Sequence, residues 1–402
     1  MASGDVAWVL VSAALVLLMV PGLALFYGGM VRRKNVLSTF MHSFAALPLI
    51  SLQWMAVGYT LVFGESHGGV IGGLELAGLR GLTGTMHGSV PTLAFASFQM
   101  MFAVITPALI SGAFAERMKF SAYALFAVSW STLVYDPVAH WVWNEHGWLF
   151  RLSALDFAGG SVVHATAGIA ALVVAKVIGP RLRYPQERPL PHDLTMTLTG
   201  AGLLWFGWFG FNAGSALGAN AVAATAFVNT QLGASGGALA WILVEWRHRK
   251  KPTALGVASG LVAGLVAITP AAGFVEPWAA TLLGMASGAA CYGAVLVKYR
   301  LGYDDSLDAF GIHGVGGILG AVLTGLFATQ AVNADGQNGL LYGNARQLGV
   351  QLIGLVVVCL YAAVVTYVLL LVVKRVTGLR VSDSDEKEGL DTTQHGEDGY
   401  AG

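Results

Sequence analysis

Eleven runs of mainly apolar residues divide the chain, at about 6–31, 36–63, 91–115, 120–140, 157–178, 194–211, 221–246, 254–272, 278–299, 306–329 and 346–374. About 20 apolar residues at 1.5 Å each cross the hydrocarbon core, so each run predicts one membrane-spanning helix. The charges between the runs add an orientation. Every Lys and Arg except Arg80, Arg151 and Arg346 falls on one side, in the groups Arg32 to Lys34, Arg117 and Lys119, Lys176 with Arg181, Arg183 and Arg188, Arg247 to Lys251, Lys298 and Arg300, and Lys374 onward. By the positive-inside rule that side is cytoplasmic, which predicts an outer N-terminus and a cytoplasmic C-terminus.

An odd count of spans carries a further expectation. Two five-helix halves joined in series, about 6–178 and 194–329, have opposite orientations, the inverted repeat found in many transporters, with the helix at 346–374 added at the end. The predicted organisation is therefore an all-α polytopic membrane domain over residues 1–375 and a cytoplasmic tail over 376–402. The tail carries Asp383, Asp385, Glu386, Glu388, Asp391, Glu397 and Asp398 against Arg380 and Lys387. That composition predicts a solvated segment whose default role is solubility.

Composition agrees with the pattern. Hydrophobic residues make up 55% of the 402 and charged residues 11%, about half the usual share of a soluble domain. A net charge of zero gives no basis for a nucleic-acid partner. Cys291 and Cys359 both lie in apolar runs, where free thiols act as small hydrophobes rather than as a disulfide framework. The first residues lack a basic n-region and a cleavage site, so the first run reads as a retained helix.

Against this background the polar residues inside the runs are candidates for function. Asp156-Phe157-Ala158-Gly159-Gly160-Ser161-Val162-Val163-His164 opens the fifth run and sets an imidazole about 12 Å beyond a carboxylate at the helical rise. His313 lies in the tenth run, in Asp308-Ala309-Phe310-Gly311-Ile312-His313-Gly314-Val315-Gly316-Gly317. The two runs enter from opposite faces, so in an inverted repeat both histidines approach the midplane at matched depth. Such a pair can hydrogen-bond a small polar solute, or accept a proton from it, in a passage otherwise lined by hydrocarbon. Two imidazoles on separate helices can also ligate a b-type haem, and the glycines around His313 would suit a flat macrocycle. His42 reads as an ordinary core residue. Asp156 fits a helix cap, and its charge can also favour a cation at the outer mouth.

Aromatic residues gather in Phe98-Gln99-Met100-Met101-Phe102 and in Trp205-Phe206-Gly207-Trp208-Phe209-Gly210-Phe211-Asn212, followed by Ser215, with Trp141, Trp143 and Trp148 in an outer loop. An interfacial belt accounts for Trp141, Trp148 and Trp205. Aromatic faces beside a hydroxyl can also hold a small cation, at about 0.5–2 kcal/mol per contact. The line Gly256, Gly260 and Gly264 fits close helix packing through small residues.

Together these motifs resemble the ammonium transporter (Amt/Mep/Rh) family. DFAGGSVVHATAGIAAL from Asp156, WFGWFGFNAGS from Trp205, FGIHGVGG around His313 and FQMMFAVITPALISGAFAERMKFSA from Phe98 carry the likeness over essentially the whole chain. The tail GLRVSDSDEKEGLDTTQHGEDGY is similar to that of the microbial Amt branch. The resemblance implies a homotrimeric, cofactor-free transporter of the cell membrane, with one pore per subunit and no enzymatic activity. It implies an outer recruitment site of Trp143, Phe102 and Ser215, and a gate of Phe102 and Phe211. It also implies a pore pair of His164 and His313, with Trp208 beside the lumen and Asp156 as support. The loop after Trp143 reads Asn144-Glu145-His146-Gly147 where relatives often have a glycine run, so Trp143 is the position that the likeness fixes least.

The expected activity follows from both lines. Ammonium is recruited at the aromatic mouth and gives up its proton, and ammonia crosses between the imidazoles, with or without separate proton movement. Methylammonium is a further candidate cargo. The tail resemblance implies docking of a P-II signalling protein at the cytoplasmic face. A slow transporter that acts as an ammonium sensor would use the same site.

Overall fold

The computed structural model describes residues 2–187 and 189–400; Arg188, counted above among the inner basic residues, lies outside them. Each of the eleven apolar runs is helical. Nine helices among the described residues are long and apolar enough to cross a membrane: Ser3–Met30, Arg33–Phe63, Thr92–Ala113, Gly160–Ile178, Leu194–Gly214, Ala221–Arg249, Pro277–Leu301, Phe310–Phe327 and Ala345–Val376. The fourth run is the unbroken helical stretch 120–143, and the eighth is the shorter Ala254–Ile268. The eighth stops before its predicted end because Pro270 has no N–H to continue the ladder. Below, the spans are numbered one to eleven in chain order.

Four spans contain a π-helical turn: Trp54–Gly58 in the second, Ser131–Tyr135 in the fourth, Gly160–Ala165 in the fifth and Phe310–Gly314 in the tenth. A π turn holds one extra residue and often marks a functional position. The last two contain His164 and His313.

The fifth and tenth spans cross at glycines. A Cβ on Gly168 would lie 2.1 Å from the Gly314 nitrogen, and one on Gly317 would lie 2.8 Å from the Gly160 carbonyl oxygen. Backbone thus meets backbone directly beside the histidines. The expected packing role of the glycine line in the eighth span holds for two of its members: a Cβ on Gly264 would meet the Gly233 oxygen at 2.2 Å, and one on Gly260 the Gly237 oxygen at 2.8 Å. Gly256 instead packs against the Glu245 carboxylate.

The cytoplasmic-side loops, as assigned from their charges, are joined by buried ion pairs. Glu116 accepts from Arg32 N at 2.8 Å, Asn35 Nδ2 at 3.0 Å and Arg181 Nη1 at 3.0 Å. Arg181 turns its other edge to Asp304, with Nε to Oδ2 at 2.9 Å and Nη2 to Oδ1 at 2.8 Å. Burial alone would raise the Glu116 carboxyl, but Arg181 and Arg32 outweigh it and hold the group at about 2. A buried carboxylate is tolerated because it is paired on both sides.

The tail departs from the expectation of a solvated segment. It docks on these loops: Val381 N donates to Arg117 O at 3.1 Å, Leu390 N to Asn35 Oδ1 at 2.8 Å, and Ser38 N to Asp391 Oδ1 at 2.7 Å. Glu386 accepts from Arg380 and from Leu182 N, and Lys34 reaches the Glu386 and Lys387 carbonyls. Leu379, Val381 and Leu390 are buried. Few as these apolar residues are, they meet a prepared surface, and the acidic side chains find fixed donors there.

Candidate functional site

The fifth span starts after a sharp turn at Gly159, whose φ of +103° lies in the left-handed region that glycine adopts without penalty. Asp156 closes this turn. Its Oδ1 accepts from Gly159 N at 2.8 Å and Gly160 N at 2.6 Å, and its Oδ2 from Ser161 N at 2.7 Å and Val162 N at 3.1 Å. All four otherwise orphaned N–H groups at the helix start are satisfied by one carboxylate. The capping role expected of Asp156 is what its geometry displays, and the residue also borders a vestibule.

A second carboxylate does the same for the tenth span, and the sequence reading passed over it. Asp305 Oδ1 accepts from Ala309 N at 3.0 Å and Oδ2 from Phe310 N at 2.8 Å. Asp308, which opened the motif as read from sequence, instead pairs with Lys298 at 2.5 Å. The overlooked signal is spacing: Asp156 precedes His164 by as many residues as Asp305 precedes His313.

The two imidazoles meet at the crossing. Their ring centroids are 5.3 Å apart with planes 15° from parallel. Both nitrogens of His164 are buried without a hydrogen-bond partner among the described residues, so no bond joins the rings in this geometry. Trp208 stacks on His164 at 5.3 Å and 21°, and its Nε1 donates to Thr269 Oγ1 at 2.9 Å, which holds the indole in place. Beside the pair lies a cavity of about 10 Å³, walled by Leu23, Phe26, Ile105, Leu109, Leu204, Val262 and their neighbours. That is about the room one water-sized molecule needs. It does not admit a macrocycle.

Phe211 lies next, 5.9 Å from His164, and Phe102 packs on Phe211 at 4.2 Å and 30°. Phe102 is also edge-on to Trp143, at 5.8 Å and 86°. Trp143 Nε1 donates to Asp156 O at 3.0 Å, which ties the indole to the turn that starts the fifth span. Trp143, Phe102, Ser215 and Asp156 line one vestibule of about 380 Å³. Ser215 donates its Oγ hydrogen to Phe211 O at 2.9 Å, leaving its lone pairs free to accept. The divergent residues Asn144, Glu145 and His146 line an adjoining pocket with Phe63, His87 and Trp143, which also border the vestibule; His146 N donates to Asn144 Oδ1 at 2.8 Å and Asn144 Nδ2 to Val62 O at 3.0 Å.

The vestibule has walls that sequence reasoning missed. His87, on a hairpin in which Met86–His87 pairs with Val90–Pro91, lies flat on Phe95 at 3.8 Å and 15°. Asn333, Asp335 and Gln337 approach from the loop before the last span. Nothing in their local sequence marks them. The interfacial reading of Trp141 also changes: the residue is buried, donates Nε1 to Val70 O at 2.7 Å and packs on Tyr361.

Comparison with known proteins gives this arrangement its setting. Residues 7–400 match the model of the Ammonium Transporter Family. The chain is 51% identical to an ammonium transporter of Bacillus subtilis (strain 168), covering 100% of this chain and 99% of that one. It is 47% identical to the ammonium transporter Amt1 of Archaeoglobus fulgidus, over the full length of both. Its fold superposes on the crystal structure of Saccharomyces cerevisiae Mep2 with a TM-score of 0.90 at 39% identity, covering 95% of this chain and 88% of that one. The chain belongs to the ammonium transporter family and is a multi-pass membrane transporter, not an enzyme.

Proposed function

We propose that ammonium enters at Trp143, Phe102 and Ser215, sheds its proton at or below the pair Phe102 and Phe211, and crosses past His164 and His313 as ammonia. The observation that carries this reading is the continuous order of groups: an aromatic and hydroxyl-lined vestibule, two packed phenyl rings, then two imidazoles beside a cavity the size of one small molecule. Aromatic faces attract a partly desolvated cation by about 0.5–2 kcal/mol each, a weak and reversible hold. Below the phenyl rings the lining is hydrocarbon apart from the imidazoles. A charge at the bilayer centre costs about 2.5–3.5 kcal/mol or more, and leaving the proton behind avoids that cost. Potassium has no proton to leave, so selectivity has a chemical origin.

In this reading the chain forms two inverted halves and a final helix, with the N-terminus outside, the C-terminus in the cytoplasm and Asp156 supporting the outer mouth. It functions as a homotrimer with a pore in each subunit, in the cell membrane. An ammonium pulse on proteoliposomes adsorbed to a solid-supported membrane tests it. With the released proton crossing by a separate route, a transient current that scales with ammonium and is absent with potassium is the expected result; ammonia uptake with no current would mean that the proton stays outside. A potassium current of equal size would overturn the selectivity mechanism.

The tail is also proposed to dock a P-II signalling protein, on the strength of its likeness to microbial Amt tails and its fixed position over the inner loops. Pull-down of P-II by the full chain should be lost on truncation after Lys374. Equal capture by the truncated chain would count against the tail as the docking element.

A further inference from the structure

The lumen is lined by residues of the first, third, fifth, sixth, eighth and tenth spans; the second and fourth contribute nothing to it. Yet between these two spans lies a completely buried carboxyl group, Asp136. Its Oδ2 accepts from Gln53 Nε2 at 2.7 Å, and Gln53 also donates to Thr132 Oγ1 at 3.1 Å. The remaining atoms of the pair, Asp136 Oδ1 and Gln53 Oε1, are both buried with no partner. No ion pair reaches Asp136 among the described residues. The titratable or charged side chains on its own span and on the elements packed against it are Tyr123, Tyr135 and His140, Tyr59 of the second span, Arg151 of the helix Trp148–Arg151, His164 of the fifth span, and Arg346, Cys359, Tyr361, Tyr367, Lys374 and Arg375 of the eleventh; none forms an ion pair with Asp136.

An ionised carboxylate there would have one neutral donor and no counter-charge, and would leave two acceptors unsatisfied, an expensive state in hydrocarbon. One proton on Oδ1 resolves both deficits, because a carboxylic acid and a primary amide pair through two bonds: the amide N–H to one oxygen, and the acid O–H to the amide oxygen. Both partners border a π turn, Gln53 just before Trp54–Gly58 and Asp136 just after Ser131–Tyr135. The helix after this pair, Asp136–Trp143, ends in the vestibule residue Trp143. One turn beyond Asp136, His140 Nδ1 donates to Val62 O at 2.7 Å, and its Nε2 lies 2.8 Å from Ser66 Oγ on an outer hairpin, leaving that nitrogen as an acceptor on the side facing the hairpin.

We propose that Asp136 is a proton-binding site of the membrane domain, a neutral acid that shares its proton with Gln53 and by doing so fixes the short helix that carries Trp143. Ionisation breaks the acid O–H bond, passes the proton to base in the outer medium and sets Asp136 Oδ1 against Gln53 Oε1 as two acceptors, which pushes the second and fourth spans apart. The proton site stands on the geometry of the pair; its coupling to transport rests on the recruiting role proposed above for Trp143.

Infrared difference spectra between the wild type and Asp136→Asn, on the full chain in lipid, test the site. A protonated-carboxyl C=O stretch should be present in the wild type, absent in the variant, and moved to higher frequency in Gln53→Leu, which removes the bonded amide. Absence of the band, or a band that Gln53→Leu leaves in place, overturns the shared proton whatever Trp143 does. Ammonium-evoked currents, each normalised to its own value at neutral pH, test the coupling. The wild type should fall severalfold relative to Asp136→Asn as pH rises, because an asparagine amide supplies the same two bonds and cannot ionise. Parallel profiles, with the band present, overturn the coupling and leave the recruitment site standing.

Discussion

Replacing both His164 and His313 with Ala abolishes discrimination between ammonium and potassium. The two rings, Trp208 and Phe211 form one packed set, and the rings supply the polar groups of a cavity of about 10 Å³. Truncating both removes the polar nitrogens and opens space for several waters. A hydrated lumen no longer demands that the cargo be neutral. The cost that excludes a charge at the bilayer centre, about 2.5–3.5 kcal/mol or more, corresponds to roughly 100-fold or more in permeation, and this is the discrimination at stake. The single variants leave one imidazole and part of the wall, and should lose less than the pair together. Ammonium and potassium currents from the same proteoliposomes measure the ratio. A double variant that still excludes potassium would remove the histidines from the selectivity mechanism.

Gly168→Val prevents assembly of the domain. The added Cβ alone would lie 2.1 Å from the Gly314 nitrogen and 2.2 Å from its Cα. These are backbone atoms of a crossing helix, so no side chain can swing away, and the two spans must separate along their length. Overpacking a tight core costs about 1–3 kcal/mol and more where the backbone has to move. The same crossing seats His164 on Gly317, whose Cβ position is 2.9 Å from the His164 Cβ, so separation also dismantles the imidazole pair. Gly349→Ala is the matched control, since a Cβ there meets nothing within 4 Å. Thermal melting of the detergent-solubilised proteins should show the control near the wild type and Gly168→Val strongly destabilised or absent. A Gly168→Val protein that melts with the wild type would mean that the fifth and tenth spans do not need this contact.

Much of this architecture was legible because membrane helices obey simple rules. Runs of apolar residues long enough to span had to be helical, and Asp156, His164 and His313 stood out as polar groups in oil. The ends of the helices were less legible where a single residue decides them, as Pro270 does. Asp305 was hidden by its neighbour: Asp308 lies closer to His313, and only the geometry shows which carboxyl receives the helix N–H groups. The tail misled for a different reason. Its acidic composition is that of a solvated chain, and its order depends on Asn35, Ser38 and Arg117, more than 250 residues away in sequence. The vestibule wall formed by His87 and Asn333 belongs to loops, whose meeting no local pattern encodes.

The π turns that hold His164 and His313 also constrain how this protein can change over time. Each residue of a helix advances the chain by about 100°, so the extra residue in such a turn decides which way the imidazole faces. Because Asp156 and Asp305 clamp the starts of their helices, the stretch between clamp and imidazole has no slack to absorb a change in length. An insertion or deletion there acts as a rotation of the imidazole away from its partner, whereas the same event in the exposed loops only alters a connection. The two stretches are therefore fixed in length as well as in composition, and a lineage can reshape its loops freely while these stay unchanged in register.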